Sequence, residues 1–238
     1  MMPSYTASTD TRDAPGWYGK LSSLGDFAQR RLPPSFVQAC DHWLSAAMRG
    51  GREQLGERWL DVYLTAPLLR FAWAPGIVDS QWWFGLLMPS CDSVGRYFPL
   101  LIAQPRNRAP DDRIALDHLE LWYDHLSRAA MGTLNDADGT VESLESTLQD
   151  APPWPSSAGA SMAPLRPETP ERLRLPPRAP LSRWMPAYAA RELMSHVSGC
   201  SLWWRTDTVG SGDTFDIVRG LPDGAGLVRL LMGGEAGG

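Results

Sequence analysis

The sequence holds a single lysine, Lys20, among 22 basic residues, the other 21 being arginine. That scarcity reads as a compositional bias of the whole chain and marks nothing special about Lys20. The formal net charge is −5, so nothing in the total favours nucleic acid or an anionic membrane as a partner. Cysteine occurs three times, as Cys40, Cys91 and Cys200, with no C-x-x-C spacing for a metal or redox pair. These read as reduced thiols. No apolar run approaches the roughly 20 residues that span a bilayer, and the opening MMPSYTASTDTRDAP is polar, unlike a secretory leader. The expected compartment is therefore the cytoplasm, with no membrane insertion.

Tryptophan is abundant instead, with 11 copies, two pairs of them adjacent: Trp82-Trp83 and Trp203-Trp204. Consecutive strand residues point to opposite faces of a sheet. If both pairs lie in strands, each face must cover an indole of roughly 150–250 Å². A sheet packed on both faces implies a layered α/β domain, because a wet face would alternate apolar with polar residues.

The periodicity predicts a short strand over 17–21 and a helix carrying Phe36, Val37, Cys40, Trp43, Leu44, Ala47 and Met48, stopped by Gly50-Gly51. A second helix fits EQLGERWLDVYL. Three strands follow as a hairpin series, LLRFAWA (68–74), WWFGLLMPS (82–90) and YFPLLIA (97–103), with Pro99 marking an edge or a bulge. Leu119, Trp122, Tyr123, Leu126 and Ala130 define a long helix, and Val141, Leu144 and Leu148 a shorter one. Between residues 152 and 186 lie ten of the 21 prolines, an extended excursion that buries little. The tail holds a helix near 189–196, strands SLWWRT (201–206) and FDIVRGLP (215–222), and a closing helix near 227–232. Those late strands need partners from the first half. We therefore expect one domain over 1–238, with a flexible N-terminus (1–14) and a proline-rich excursion (151–180).

Charge is uneven. Residues 111–150 carry ten acids against Arg113 and Arg128, or −8, while 166–191 carry six arginines against two glutamates, or +4. The bland reading is a solvated acidic helix face partly neutralised by a basic linker; the sharper one is an acidic docking face.

Chemical motifs fail one after another. GKLSSLGD has Leu21 where a phosphate loop needs Ser or Thr, and the glycine spacing is wrong. VGSGDTF lacks the third glycine and the βαβ setting of a dinucleotide site. His118 and His125 stand seven residues apart, too far to ligate one metal. Ser90 and Cys91 sit at a strand-end turn with four histidines elsewhere, so a cryptic hydrolase stays open as the minority reading. No cofactor and no metal is expected.

Two stiff turns remain. In GKLSSLGDFAQRR, Gly25 frees the backbone, and Asp26 with Gln29 forms a box able to cap a short helix that Leu32-Pro33-Pro34 ends. Arg30 and Arg31 would then point outwards. In CDSVGR, Asp92 can make an Asx turn, Gly95 can take positive φ, and Arg96 projects where the next strand starts, paired with Asp26 or Asp92. Lys20, Asp26, Arg30, Arg31, Asp92 and Arg96 are thus the candidate partner-binding residues.

GKLSSLGDF, RWLDVYLTAPLLRFAW, GLLMPSCDSVGRYFPLLIA and the late CSLWW…RGLP together resemble the TagF family of type VI secretion-associated proteins, over nearly the whole chain. Leu69 stands where relatives often have Trp, and the phosphatase domain that some relatives carry is not expected here. The resemblance implies a three-layer α-β-α sandwich, here expected around a central mixed sheet, and no enzymatic activity. It also implies a cytoplasmic post-translational regulator of type VI secretion, mostly a repressor, acting through a forkhead-associated scaffold protein alongside or independent of threonine phosphorylation. A structural accessory of the secretion baseplate is a further possibility.

Overall fold

The computed structural model describes residues 14–110, 112–134, 139–155, 189, 192, 193, 196–205 and 214–233. Within them the chain forms β1 (Gly16–Gly19), β2 (Ala28–Arg30), α1 (Pro34–Leu55), a 3₁₀ turn (Gly56–Arg58) and α2 (Trp59–Thr65). Strands β3 (Leu69–Trp73), β4 (Trp82–Met88) and β5 (Leu100–Arg106) follow, then α3 (Arg113–Gly132) and α4 (Val141–Gln149). Strands β6 (Cys200–Arg205) and β7 (Thr214–Arg219) precede the last helix, α5 (Gly224–Met232).

The seven strands make one sheet in the order β2-β1-β5-β4-β3-β6-β7. Every strand pair in it is antiparallel, which corrects the expected mixed sheet. The expected hairpin series β3-β4-β5 is present, and β6 finds its partner in β3, far earlier in the chain. Among the described residues, each strand joins its neighbours without a parallel crossover.

Adjacent tryptophans divide between the two faces. Trp83 and Trp203 join Phe36, Trp43, Trp73, Tyr63 and Leu227, a cluster shared with α1, α2 and α5. Trp82 joins Phe84, Trp122, Tyr123 and Leu148, a cluster shared with α3 and α4, and Trp204 packs against its margin. β4 is buried along its whole length, as a strand covered on both sides must be.

Helix α1 runs straight through Gly50-Gly51, against expectation. A side chain at Gly50 would come within 3.1 Å of the Gly224 Cα, and one at Gly51 within 2.4 Å of the Trp59 ring. The two glycines let α1 meet α5 and α2 at close range; they do not end the helix. Proline-rich residues 151–155 are the described part of the excursion, and they are packed: Trp154 meets Phe84 at 4.8 Å and Trp122 at 5.1 Å between ring centres. Residues 1–13, 156–188 and 206–213 lie outside the described residues, as does most of the expected 189–196 helix, of which Ala189, Glu192, Leu193 and His196 are helical.

Candidate functional site

The two predicted turns meet. Lys20 leaves the end of β1, and Asp92 opens the turn between β4 and β5, 72 residues later. Their side chains form an ion pair in which Lys20 is 5% exposed and Asp92 fully covered. The Asp92 carboxylate also accepts from the Arg96 amide at 2.8 Å, the Arg96 Nε at 2.7 Å and the Val94 amide at 3.1 Å. The last of these is the predicted Asx turn, and Gly95 takes the predicted positive φ, 81°. Burial alone would raise the Asp92 pKa. The hydrogen bonds from Lys20, from Arg96 and from the Val94 amide outweigh it and hold the carboxyl well below the usual carboxylate range.

Further bonds tie the turns into one body. Arg96 Nη2 donates to the Gly25 carbonyl, and the Ser93 amide donates to the Leu24 carbonyl at 2.9 Å. Gly25 contributes that carbonyl and is not among the residues with positive φ. Lys20 Nζ stands 4.5 Å from the centre of the Phe27 ring, which stacks on Tyr18 at 5.8 Å and meets Phe98 edge-on at 4.8 Å. Phe27 is nevertheless 44% exposed.

The helix expected after Asp26 is a strand. Ala28–Arg30 pairs with Trp17–Gly19, so the β1 ladder, not a local turn, takes its backbone groups. Asp26 caps nothing beyond its neighbour's amide, accepting from Phe27 N at 2.8 Å, and remains exposed. Arg30 is exposed on β2. Arg31 is engaged elsewhere: its guanidinium forms an ion pair with Glu145 of α4 at 2.5 Å and donates to the Pro15 carbonyl at 2.9 and 3.1 Å. Trp17 Nε1 donates to the same carboxylate. Burial would raise the Glu145 pKa, but the hydrogen bonds from Arg31 and Trp17 lower it below the ordinary value. Of the six predicted residues the structure brings Lys20, Asp92 and Arg96 together beside Asp26. It leaves Arg30 on the adjoining edge and sends Arg31 to a separate cluster.

Ser90, the candidate nucleophile, is buried and fully bonded. Its hydroxyl donates to the Lys20 carbonyl at 2.8 Å, its amide donates to Tyr63 Oη at 3.0 Å, and its carbonyl accepts from the same Tyr63 hydroxyl at 2.9 Å. A nucleophilic serine gives its proton to a base; here the proton goes to a backbone carbonyl. No group of three or more His, Cys, Asp or Glu among the described residues is placed to hold a metal ion.

Besides the Arg31–Glu145 pair, sequence reasoning missed a further charged cluster. Arg70 lies in β3 with its side chain 8% exposed, donating to Glu120 and, at 2.6 Å, to Asp124 of α3. Its guanidinium carbon stands 5.6 Å from the Tyr123 ring centre. The signal was available: a lone arginine inside the apolar run LLRFAWA must find counter-ions across the sheet.

Fold and site together define an α/β protein of seven antiparallel strands whose charged loops are locked from within by ion pairs. The chain belongs to the TagF family: the profile of the TagF N-terminal domain, type VI secretion system-associated, matches residues 16–151, more than half of its length. Among solved structures it is similar to the crystal structure of PA0076 from Pseudomonas aeruginosa PAO1. The two are 29% identical with a TM-score of 0.73, over 94% of this chain and 96% of that one. No curated protein matches.

Proposed function

We propose that this protein is a non-enzymatic, post-translational regulator of type VI secretion, a repressor that works in the cytoplasm by binding a forkhead-associated scaffold protein. The observation that carries the reading is the TagF match over residues 16–151, which spans both charged turns. The locked Ser90 hydroxyl favours binding over hydrolysis. The two hydrophobic clusters, one on each face of the sheet, favour a three-layer α-β-α arrangement.

The contact surface in this reading is the fused pair of turns. Asp26, Arg30 and Arg96 supply charge, and the exposed Phe27 and Val94 (44% and 67%) supply apolar area. Lys20 and Asp92 act from beneath, holding the loops in register, so that little side-chain freedom is lost on binding. Arginine suits such a surface because its planar fork bonds carboxylates and phosphates in pairs.

The test is capture of the purified forkhead-associated scaffold by the tagged protein, with secretion measured in the same strains. Arg30→Glu should leave the melting temperature close to wild type, Phe27→Ser should lower it modestly by taking the ring off Tyr18, Phe98 and Lys20, and both should reduce capture at least tenfold and release secretion. Full capture and unchanged secretion by both variants would remove this surface. Turnover in an esterase and phosphatase screen would remove the non-enzymatic reading.

A further inference from the structure

Among the described residues the sheet has β2 at one edge and β7 at the other, and the two are built differently. β2 is three residues long and is followed by Arg31, a non-glycine residue with φ 58°, and then by Leu32-Pro33. A short strand broken by strain and proline is a guarded edge. β7 is six residues long and regular, carries neither proline nor lysine, and has no bulge in its pairing with β6. Phe215 and Ile217 are 58% and 51% exposed along it, and Arg219 is exposed as well. Phe215 stands opposite Trp204, Ile217 opposite Leu202 and Arg219 opposite Cys200, so the three share the sheet face on which α3 and α4 pack. On the other face Asp216 approaches Arg229 of α5 at 3.8 Å.

We propose that the β7 edge is a self-association surface, on which a second copy of this chain adds its own β7 antiparallel across a two-fold axis at Ile217. The argument is the complementarity of the strand with itself. A two-fold axis normal to the sheet brings like faces together, so opposed residues must share a face. Centring on Ile217 sets Ile217 against its equivalent and Phe215 against Arg219 of the other copy, twice over. Each arginine then lies beside an exposed aromatic ring. Asp216 falls opposite Val218. Centring on Asp216 instead would oppose two carboxylates on the axis, and centring on Val218 would carry Phe215 past the end of the partner strand. One register remains. It joins two seven-stranded sheets into a continuous sheet and pairs the backbone groups that β7 turns outward.

A six-residue edge buries far less than the roughly 800 Å² per partner of a standard interface, so the dimer is concentration-dependent. Sedimentation velocity of the full chain, from low micromolar to several hundred micromolar, should show a monomer–dimer equilibrium. Ile217→Lys should shift it at least tenfold towards monomer while leaving the circular dichroism and melting temperature of the monomer intact. Geometry is read by cross-linking in a Cys91→Ser, Cys200→Ala background. Ile217→Cys should form a disulfide dimer under mild oxidation, because directly opposed strand residues fall within disulfide reach. Phe215→Cys and Arg219→Cys should each stay monomeric alone and cross-link when mixed. A wild-type chain that remains monomeric throughout overturns the proposal. So does a dimer that survives Ile217→Lys, or one that cross-links through Phe215→Cys alone.

Discussion

Removing Arg70 and removing its two carboxylate partners should have unequal consequences, although both destroy the same ion cluster. The guanidinium is 8% exposed, while Glu120 and Asp124 are 56% and 52% exposed. Arg70→Met keeps the apolar stem over Tyr123 and returns two half-wet carboxylates to water. The loss is that of exposed pairs, about 1 kcal/mol or less. Glu120→Ala with Asp124→Ala instead leaves a covered cation between sheet and helix without a counter-ion, which costs about 3–5 kcal/mol. The expected value lies toward the lower end, because water reaches the mouth of the cluster. The triple variant, lacking all three charges, should recover most of that loss. The assay is equilibrium urea unfolding followed by tryptophan fluorescence, with salt varied to confirm that the effect is only weakly screened. An Arg70→Met variant as unstable as the double carboxylate variant would refute the reasoning, since it would place the energy in the pair and not in desolvation.

Three more outcomes are expected. Trp203→Ala should cost about 3–5 kcal/mol, because its indole is fully covered and rings of Phe71, Trp43 and Trp73 lie within 6.0 Å of it; Trp204→Ala, at the margin of the other cluster, should cost clearly less by the same denaturant titration. Glu145→Gln should destabilise the protein at neutral pH, and the difference from wild type should shrink as pH falls. The folded pKa lies below the ordinary 4.5, so this stability is present above about that pH and is lost on descent through the folded value; a pH-independent difference would contradict the assignment. Arg96→Ala removes bonds to Asp92 and Gly25 from a side chain 57% exposed, so it should lower stability by about 1 kcal/mol in thermal melts, and Lys20→Ala, which strips the covered end of the cluster, should lower it by more.

Where periodicity was the signal, the fold was legible. Adjacent tryptophans in an apolar run can only divide between two faces, and they do, as Trp82 and Trp83 show. The hairpin series β3-β4-β5 followed from run lengths and the turns between them. Glycine misled, because one residue type serves two ends. At Gly95 it permits a left-handed turn, while at Gly50 it permits another helix to approach, and only the partner element tells these apart. β2 looks helical in sequence because Asp-x-x-Gln is a local cap pattern. Its three residues carry no alternation long enough to compete with that pattern, and their backbone bonds come from β1.

The site was legible in composition but not in orientation. The turn chemistry was legible at Asp92, which makes its Asx turn from local chemistry alone, and at Gly95, which takes its positive φ. Which way a charge faces is set by what stands opposite it, and for Lys20 that partner is 72 residues away. An exposed lysine and a buried, paired one look alike in sequence, as do Arg30 on an open edge and Arg31 bound to Glu145. The consequence for binding is specific. Charges that lock the loops are already satisfied by internal partners and have little left to offer a second protein. In the proposed reading, those left to engage a partner are Asp26, Arg30 and the outer part of Arg96, set around Phe27. Substitutions at Asp26 and Arg30 should change recognition with little change in stability, whereas substitutions at Lys20 or Asp92 should disturb recognition only by loosening the fold that presents it.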